Sequence, residues 1–430
     1  MRKYLPFLFL FLPLSVMAQP HCHVRMFNLR DGLASNIITS MEQTPDQLMW
    51  FSSWNGLSCY DGYAFTTFSD KQGASRSLTT NRLLKISPSE TGNIWCLTYD
   101  RQVFLFDRST CRFINVSEMV SRLTGNPYNC QRIVTLKGGA AWLFNRGGDG
   151  GTFRIDERQL LSAAGRERCL QEFSRANGRQ KGDDVYGVEQ DEKGREWLLT
   201  EGGITLVEPD GQVEQGRVAD DTTSYSYVIP LADRTVMLAR DGRIGFYDEQ
   251  SKAILPMAGA LHVGAVRSIC RVPNGGGVAA LTDEGLLLFA SHQKLPRCIP
   301  LPQAIEARVV QADSRGRVWL LGGGNEVLMV NPGNGLSETL TTGHEPDLAQ
   351  STRNFLHEDR YGYCWIGCEN GFFGYYDEQR HQLVAQTIRQ EAAQPSIDRW
   401  YVEHAVTSGS RASTTWRWST SRSLFSLRST

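Results

Sequence analysis

Seven residues have side chains suited to holding a small polar ligand: Trp54, Tyr99, Arg101, Asn145, Arg146, Arg240 and Glu369. Aromatic rings stack on sugar faces, while Arg, Asn and Glu exchange hydrogen bonds with hydroxyls and carboxylates. The seven are scattered along the chain. Each falls in a polar turn or loop beside apolar runs, so only a fold that gathers distant turns on one face can unite them. Taken singly, each reads first as a solvated turn residue.

No local motif supplies catalysis. The chain lacks a convincing carboxylate pair for glycoside hydrolysis, a G-x-S-x-G elbow and an HExxH helix. Its eight histidines, among them His262, His357 and His381, form no spacing cluster. The run His21–Cys22–His23 has metal-ligand types, but it adjoins a cleavage site and reads as an unstructured terminus. No catalytic residue, metal or cofactor is expected.

Ten cysteines raise the question of disulfides. Cys59, Cys96, Cys270, Cys364 and Cys368 sit in apolar strand-like runs, which favours buried free thiols acting as small hydrophobes. Cys364 and Cys368, four apart in a strand, lie about 13 Å apart by strand rise, too far to pair.

Lys plus Arg number 45 and Asp plus Glu 46. That balance gives no general electrostatic case for nucleic acid or an anionic membrane. At the start, Arg2 and Lys3 precede the apolar run Leu5 to Val16, and Val16 and Ala18 are small residues before Gln19. Residues 1–18 therefore read as a cleaved secretory signal, too short in its apolar part to span a membrane. The mature chain is expected to be exported to the periplasm, without a membrane span.

The elements that position the loop residues repeat. An apolar strand leads to a polar turn with Asp and Gly, then a Trp opens a second strand, a Gly-containing turn follows, and a third strand ends in an acidic residue. Eight units follow one another about 40–55 residues apart. Trp50, Trp95, Trp142, Trp197, Trp319 and Trp365 mark six; Val236 or Met237 and Val278 stand in the other two. In "DSRGRVW" and "DEKGREW" the Asp can accept turn N–H bonds and the Gly supplies positive φ. The Trp begins strand two and offers apolar area to a neighbouring sheet, so it is core rather than a sugar platform. Asn55–Gly56 and Asn370–Gly371 signal type I′ hairpins. Strands two and three are apolar on both faces, as in a sheet sandwiched between two others.

Four antiparallel strands repeated at this period make a β-propeller blade. The fold class is all-β, a propeller of four-stranded antiparallel blades. Residues 23–345 are expected to form a seven-bladed ring and 346–404 an eighth repeat that starts a second propeller. The orphan strand in "VRMFNLRDGLASN" should complete a blade begun at the C-terminal end. Residues 405–430, rich in Ser, Thr and Arg, read as an aberrant or disordered tail, a frameshifted ninth unit. A second ring cut off in this way would leave blade edges unpaired and solubility poor.

The units resemble the repeats of the two-component regulator propeller family, with the pattern "GL-x-x-N-x-V-x-S-I-x-x-D-x-x-G-x-L-W-I-G-T-x-x-G-L-x-x-Y-D". "GLASNIITSMEQTPDQLMWFSSWNGLSCYDG" matches at Gly32, Leu33, Asn36, Ser40, Trp50, Gly56, Leu57, Tyr60 and Asp61. "HEDRYGYCWIGCENGFFGYYD" matches at Asp359, Gly362, Trp365, Ile366, Gly367, Gly371, Tyr376 and Asp377. The resemblance covers about residues 23–380 and is weakest in the middle units. It implies the periplasmic sensor region of a hybrid two-component sensor kinase, which recognises an oligosaccharide or other small-molecule ligand and forms a homodimer when intact. This chain carries no kinase motif, so it is read as non-enzymatic. The alternative is a stand-alone exported propeller, either a glycan-active hydrolase or lyase or a protein-binding scaffold. The sialidase-type Asp box, S-x-D-x-G-x-x-W, differs in placing its Asp two before the Gly; here it is three, as in Asp313 and Gly316.

Overall fold

A computed structural model describes residues 22–69, 78–145, 151–166, 168–209, 211–215, 217–218, 225–231, 235–239, 241–257, 264–274, 277–289, 296–302, 307–322, 326–341, 354–359, 362–368, 373–385, 399–404, 414–419 and 424–429. Residues 1–18, read from the sequence as a secretory signal, lie outside them. The described residues form nine β-sheets. In eight, the strands pair antiparallel in chain order, as in blade one: Ile38–Gln43, Met49–Ser53, Gly56–Tyr60 and Phe65–Phe68. Blade five gains a short parallel strand, Arg217–Val218, on its outer edge. The chain is a β-propeller.

The ninth sheet joins the two ends of the chain. Arg399–His404, Thr414–Ser419 and Leu424–Ser429 pair in order, and Cys22–Phe27 adds outside the last of them. The N-terminal strand thus completes a C-terminal sheet, which removes an open edge. The sequence reading differs here in two respects. Cys22 and His23 belong to a strand, not to an unstructured terminus. The stretch read as a tail contributes two strands, at 414–419 and 424–429. The first strand of blade one packs beside Arg399–His404 as well as beside the first strand of blade two, Leu83–Pro88. The second strand of blade seven, Val318–Gly322, likewise packs on the first strand of blade eight, Asn354–Glu358, so the series continues across residue 345.

Burial follows the expected order. In blades one, two and four the second and third strands are buried at every residue. The fourth strand is largely exposed, as in Phe65–Phe68. Six first strands carry a register shift at the same place, around Thr39, Leu84, Tyr186, Ser226, Arg267 and Arg308. A bulge adds twist and bend, and here it falls repeatedly where the innermost strand begins.

The six repeat tryptophans are core, each at most 2% exposed. Their indole N–H groups need acceptors once buried. Asp191, Asp313 and Asp359, each six residues ahead, accept from Trp197 (3.1 Å), Trp319 (2.9 Å) and Trp365 (3.0 Å). Asp313 Oδ1 also accepts from the N–H groups of Arg315 and Arg317, which closes the turn. Gly194 and Gly316 both take φ +80°, and Gln47 fills the same place in blade one at +70°. In blade one, which lacks the Asp, Thr44 Oγ1 accepts from Trp50 at 3.3 Å; in blades two and three the next blade supplies a carboxylate. Glu157 accepts from Trp95 at 2.7 Å and Glu196 from Trp142 at 2.6 Å.

The residues that end strand three seal the same seam. Tyr247 and Tyr376 pack edge-on against Trp197 and Trp319 of the preceding blade, at 4.9 and 5.4 Å. Two residues later, Glu249 and Glu378 bond Arg195 and Arg317 of that preceding blade. In blade two the sign is reversed: Arg108 holds this place and pairs with Asp46 of blade one at 2.5 Å.

The hairpin reading of Asn55–Gly56 needs correction. Gly56 has φ +108°, but Asn55 is not among the residues with positive φ. A type I′ turn requires both. The loop is Trp54–Asn55, with Gly56 opening the next strand in a bulge-like conformation; a Cβ there would lie 2.5 Å from the Phe68 carbonyl oxygen. Asn370–Gly371 lies outside the described residues.

Among the described cysteines, Cys59, Cys96, Cys130, Cys169 and Cys364 are buried free thiols. Cys270 is only half-buried, in a first strand that is buried at Val266 and Val272 alone.

Candidate functional site

The turns between strands two and three share a face with the loops that lead into each first strand. In blade one that turn presents Trp54, 46% exposed, unlike the repeat tryptophans. Its backbone N–H meets the Ile37 carbonyl at 3.4 Å, and Ile37 is itself exposed. The Arg82 guanidinium lies over the Trp54 ring, 5.3 Å from its centre. Arg82 also links to the next turn, where the Tyr99 N–H donates to its carbonyl at 2.8 Å. Tyr99 is 62% exposed. Trp54 and Tyr99 therefore flank Arg82 in one open aromatic and cationic surface, suited to stacking on a flat ligand.

Arg101 is a turn residue. Its φ is +65°, its N–H donates to Thr98, and its carbonyl accepts from Cys130 at 2.9 Å. Asp100 between Tyr99 and Arg101 is held by the hydroxyls of Thr79 and Thr98.

Asn145 belongs elsewhere on this face. With Gly151 and Thr152 of blade three it lines a cavity of about 460 Å³, whose other wall is Ser174, Arg175, Ala176, Gln180 and Asp183 from the loop leading to blade four. Neither Trp54, Tyr99 nor Arg101 lines it. The loop is built on Asn177, whose Oδ1 accepts from the Ser174 and Arg179 N–H groups at 3.1 and 3.0 Å. Arg175 and Asp183 pair across it at 3.2 Å. Gln180 is buried; its Nε2 donates to the Gly182 carbonyl, while its Oε1 has no partner. Sequence reasoning missed Arg82 and Gln180. Both sit in loops before a first strand, where no periodicity marks direction. Arg146, Arg240 and Glu369 lie outside the described residues.

A second cavity, of about 350 Å³, opens by the turns between strands one and two, lined by Gln43, Thr44, Pro45, Pro88, Ser89, Glu90, Thr135, Leu136 and Lys137. Beside Gln43, burial pushes the Glu42 carboxyl up to about 7, against the opposing pull of Lys85. Burial also raises Glu189, opposed by Arg132 and Arg271. No group of three His, Cys, Asp or Glu suited to a metal occurs among the described residues. Among them, no helix is long and apolar enough to cross a membrane.

No protein-family model matches the chain, and no curated protein matches it. Solved structures do. The Dos1 propeller is 11% identical, with a TM-score of 0.50 and 94% of each chain covered. An extracellular domain assigned to the hybrid two-component system BT4673 of B. thetaiotaomicron is 15% identical, with a TM-score of 0.43, over 91% of this chain and 52% of that one. Virginiamycin B lyase of Staphylococcus aureus is 13% identical, with a TM-score of 0.40, over 81% of this chain and 97% of the lyase. The chain thus spans about half the length of the BT4673 domain it matches. At these identities the likeness concerns the propeller fold alone.

Proposed function

We propose that this propeller is the ligand-recognising part of an exported sensor that, in a longer protein, passes a signal to a histidine kinase. The ligand class we infer is a glycan fragment or a similar small molecule. The observation that carries this reading is the surface of Trp54, Arg82 and Tyr99. Every repeat tryptophan is buried, yet this one stands in solvent with a guanidinium over its ring. Large exposed aromatics beside a cation commonly mark recognition surfaces. The repeat pattern, with Trp, turn Gly and terminal Tyr-Asp, supports the sensor family as its setting. The export signal at 1–18 supports a periplasmic location.

Calorimetric titration of the purified chain with a glycan-fragment panel tests the reading. At least one oligosaccharide should bind, and Trp54→Ala should weaken it while leaving the thermal midpoint in place. No heat from any oligosaccharide would remove the glycan class. Release of a new reducing end during the titration would favour the alternative, a stand-alone glycan-active propeller.

A further inference from the structure

We propose that the cavity at the turns between strands one and two of blades one to three binds a small monocarboxylate with an apolar body, held by the Lys137 ammonium. This site is separate from the Trp54 surface. That surface belongs to the turns between strands two and three, at the opposite end of every second strand. It does not depend on the sensor reading.

Three successive blades wall the cavity, and all the residues that line it are described. Its volume of about 350 Å³ falls at the low end of the roughly 300–1,000 Å³ usual for small-molecule sites. Pro45, Pro88 and Leu136 form its apolar part, one from each blade. Neither proline has an N–H to offer. The three lining hydroxyls are already committed as donors. Thr44 donates to Asp46 and to the Leu48 carbonyl, Ser89 to Glu157, and Thr135 to the Pro88 carbonyl. A hydroxyl-rich ligand therefore finds few new partners here, whereas an apolar body gains burial.

Charge supplies the other half of the recognition. The turn that carries Lys137 is fixed from both flanking blades. Its N–H donates to Gln190 Oε1 of blade four at 3.0 Å, and its carbonyl accepts from Gln190 Nε2 at 3.1 Å. The next N–H, of Gly138, donates to Glu90 of blade two at 2.6 Å. The Lys137 side chain itself is exposed, and its ammonium makes no ion pair among the described residues. The nearby carboxylates are committed: Asp46 pairs with Arg108, and Glu90 Oε2 holds Gly138. One unpaired ammonium beside an apolar wall matches a single negative charge. A dianion would meet Glu90, and a cation would meet Lys137.

Ligand-observed magnetic resonance on the purified chain tests the site, with benzoate, 2-naphthoate and 4-methylpentanoate as probes. Benzamide, benzylamine and acetate are the comparators for charge and for the apolar body. At least one apolar carboxylate should bind, and the comparators should bind about fivefold more weakly or not at all. Lys137→Gln keeps the main-chain bonds to Gln190 and should weaken the carboxylate about fivefold; Lys137→Arg should restore it. Glu90→Gln leaves an oxygen for the Gly138 N–H and removes a negative charge. It should tighten carboxylate binding, a change that damage to the fold cannot produce. The assignment is overturned if benzamide binds as well as benzoate, if Lys137→Gln binds like the parent, or if no apolar carboxylate binds. Loss of binding on Trp54→Ala instead of on Lys137→Gln would put the carboxylate on the other face and overturn it too.

Discussion

Arg195 of blade four and Glu249 of blade five meet in a two-pronged ion pair, both N···O distances 2.9 Å. Arg195 is only 8% exposed in its side chain and also bonds Asp191, whose own Oδ2 accepts from Trp197. One guanidinium thus ties a turn, a core tryptophan and the next blade. Arg317 repeats this with Asp313, Trp319 and Glu378.

Arg195→Met should destabilise the chain by about 3–5 kcal/mol, because it leaves the buried Asp191 without its cation. Glu249→Gln should cost far less, since Glu249 is half exposed. Urea titrations of the two variants check the order; equal losses would contradict it.

Arg195 and Lys193 hold the Glu249 carboxyl down at about 2, against a reference value of 4.5. The folded form binds its proton less readily than the unfolded form. The pair's contribution is therefore complete above about pH 4.5 and is lost as pH falls toward 2. Thermal midpoints of Glu249→Gln and the parent should converge across that window.

Glu42 behaves oppositely. Burial lifts it to about 7, so the folded form holds its proton longer than the unfolded form. Stability should fall as pH rises from about 4.5 to 7 and then level off. Glu42→Gln should raise the midpoint at pH 8 and change it little at pH 4. A constant difference across that range would rule out this titration.

Trp319→Ala removes a fully buried ring and should cost about 3–5 kcal/mol. Trp54→Ala, at an exposed turn, should change stability by no more than about 0.5 kcal/mol. Equilibrium unfolding of both variants separates the core tryptophans from the surface one.

Cys111 is the one exposed thiol among those described, whereas Cys96 and Cys130 are buried and burial pushes both thiols up, Cys130 to about 12. A thiol reagent on the native chain should label Cys111 first and those two only on unfolding. Early labelling of Cys96 would contradict the packing of blade two.

The residue pattern by itself determined the repeat, the four-stranded blade and the fate of each repeat tryptophan. These are local properties: alternation, turn glycines and, for Trp197, Trp319 and Trp365, the Asp six residues ahead act within one unit. Trp54 could be singled out as open because its turn lies outside that pattern. Tertiary structure alone decided how blades meet. Glu157 lies 62 residues from Trp95, and Glu196 lies 54 from Trp142, yet each supplies the acceptor its partner's turn lacks. Nothing local announces such a pair, since a buried N–H donates to any carboxylate the packing brings within reach. The same holds for Arg82 over Trp54 and for Gln180, whose depth comes from two blades closing around a loop. The closure of Cys22–Phe27 on a C-terminal sheet was legible from the orphan strand, and the structure added its partner, Leu424–Ser429, because an open strand edge pairs with the strand that lies beside it.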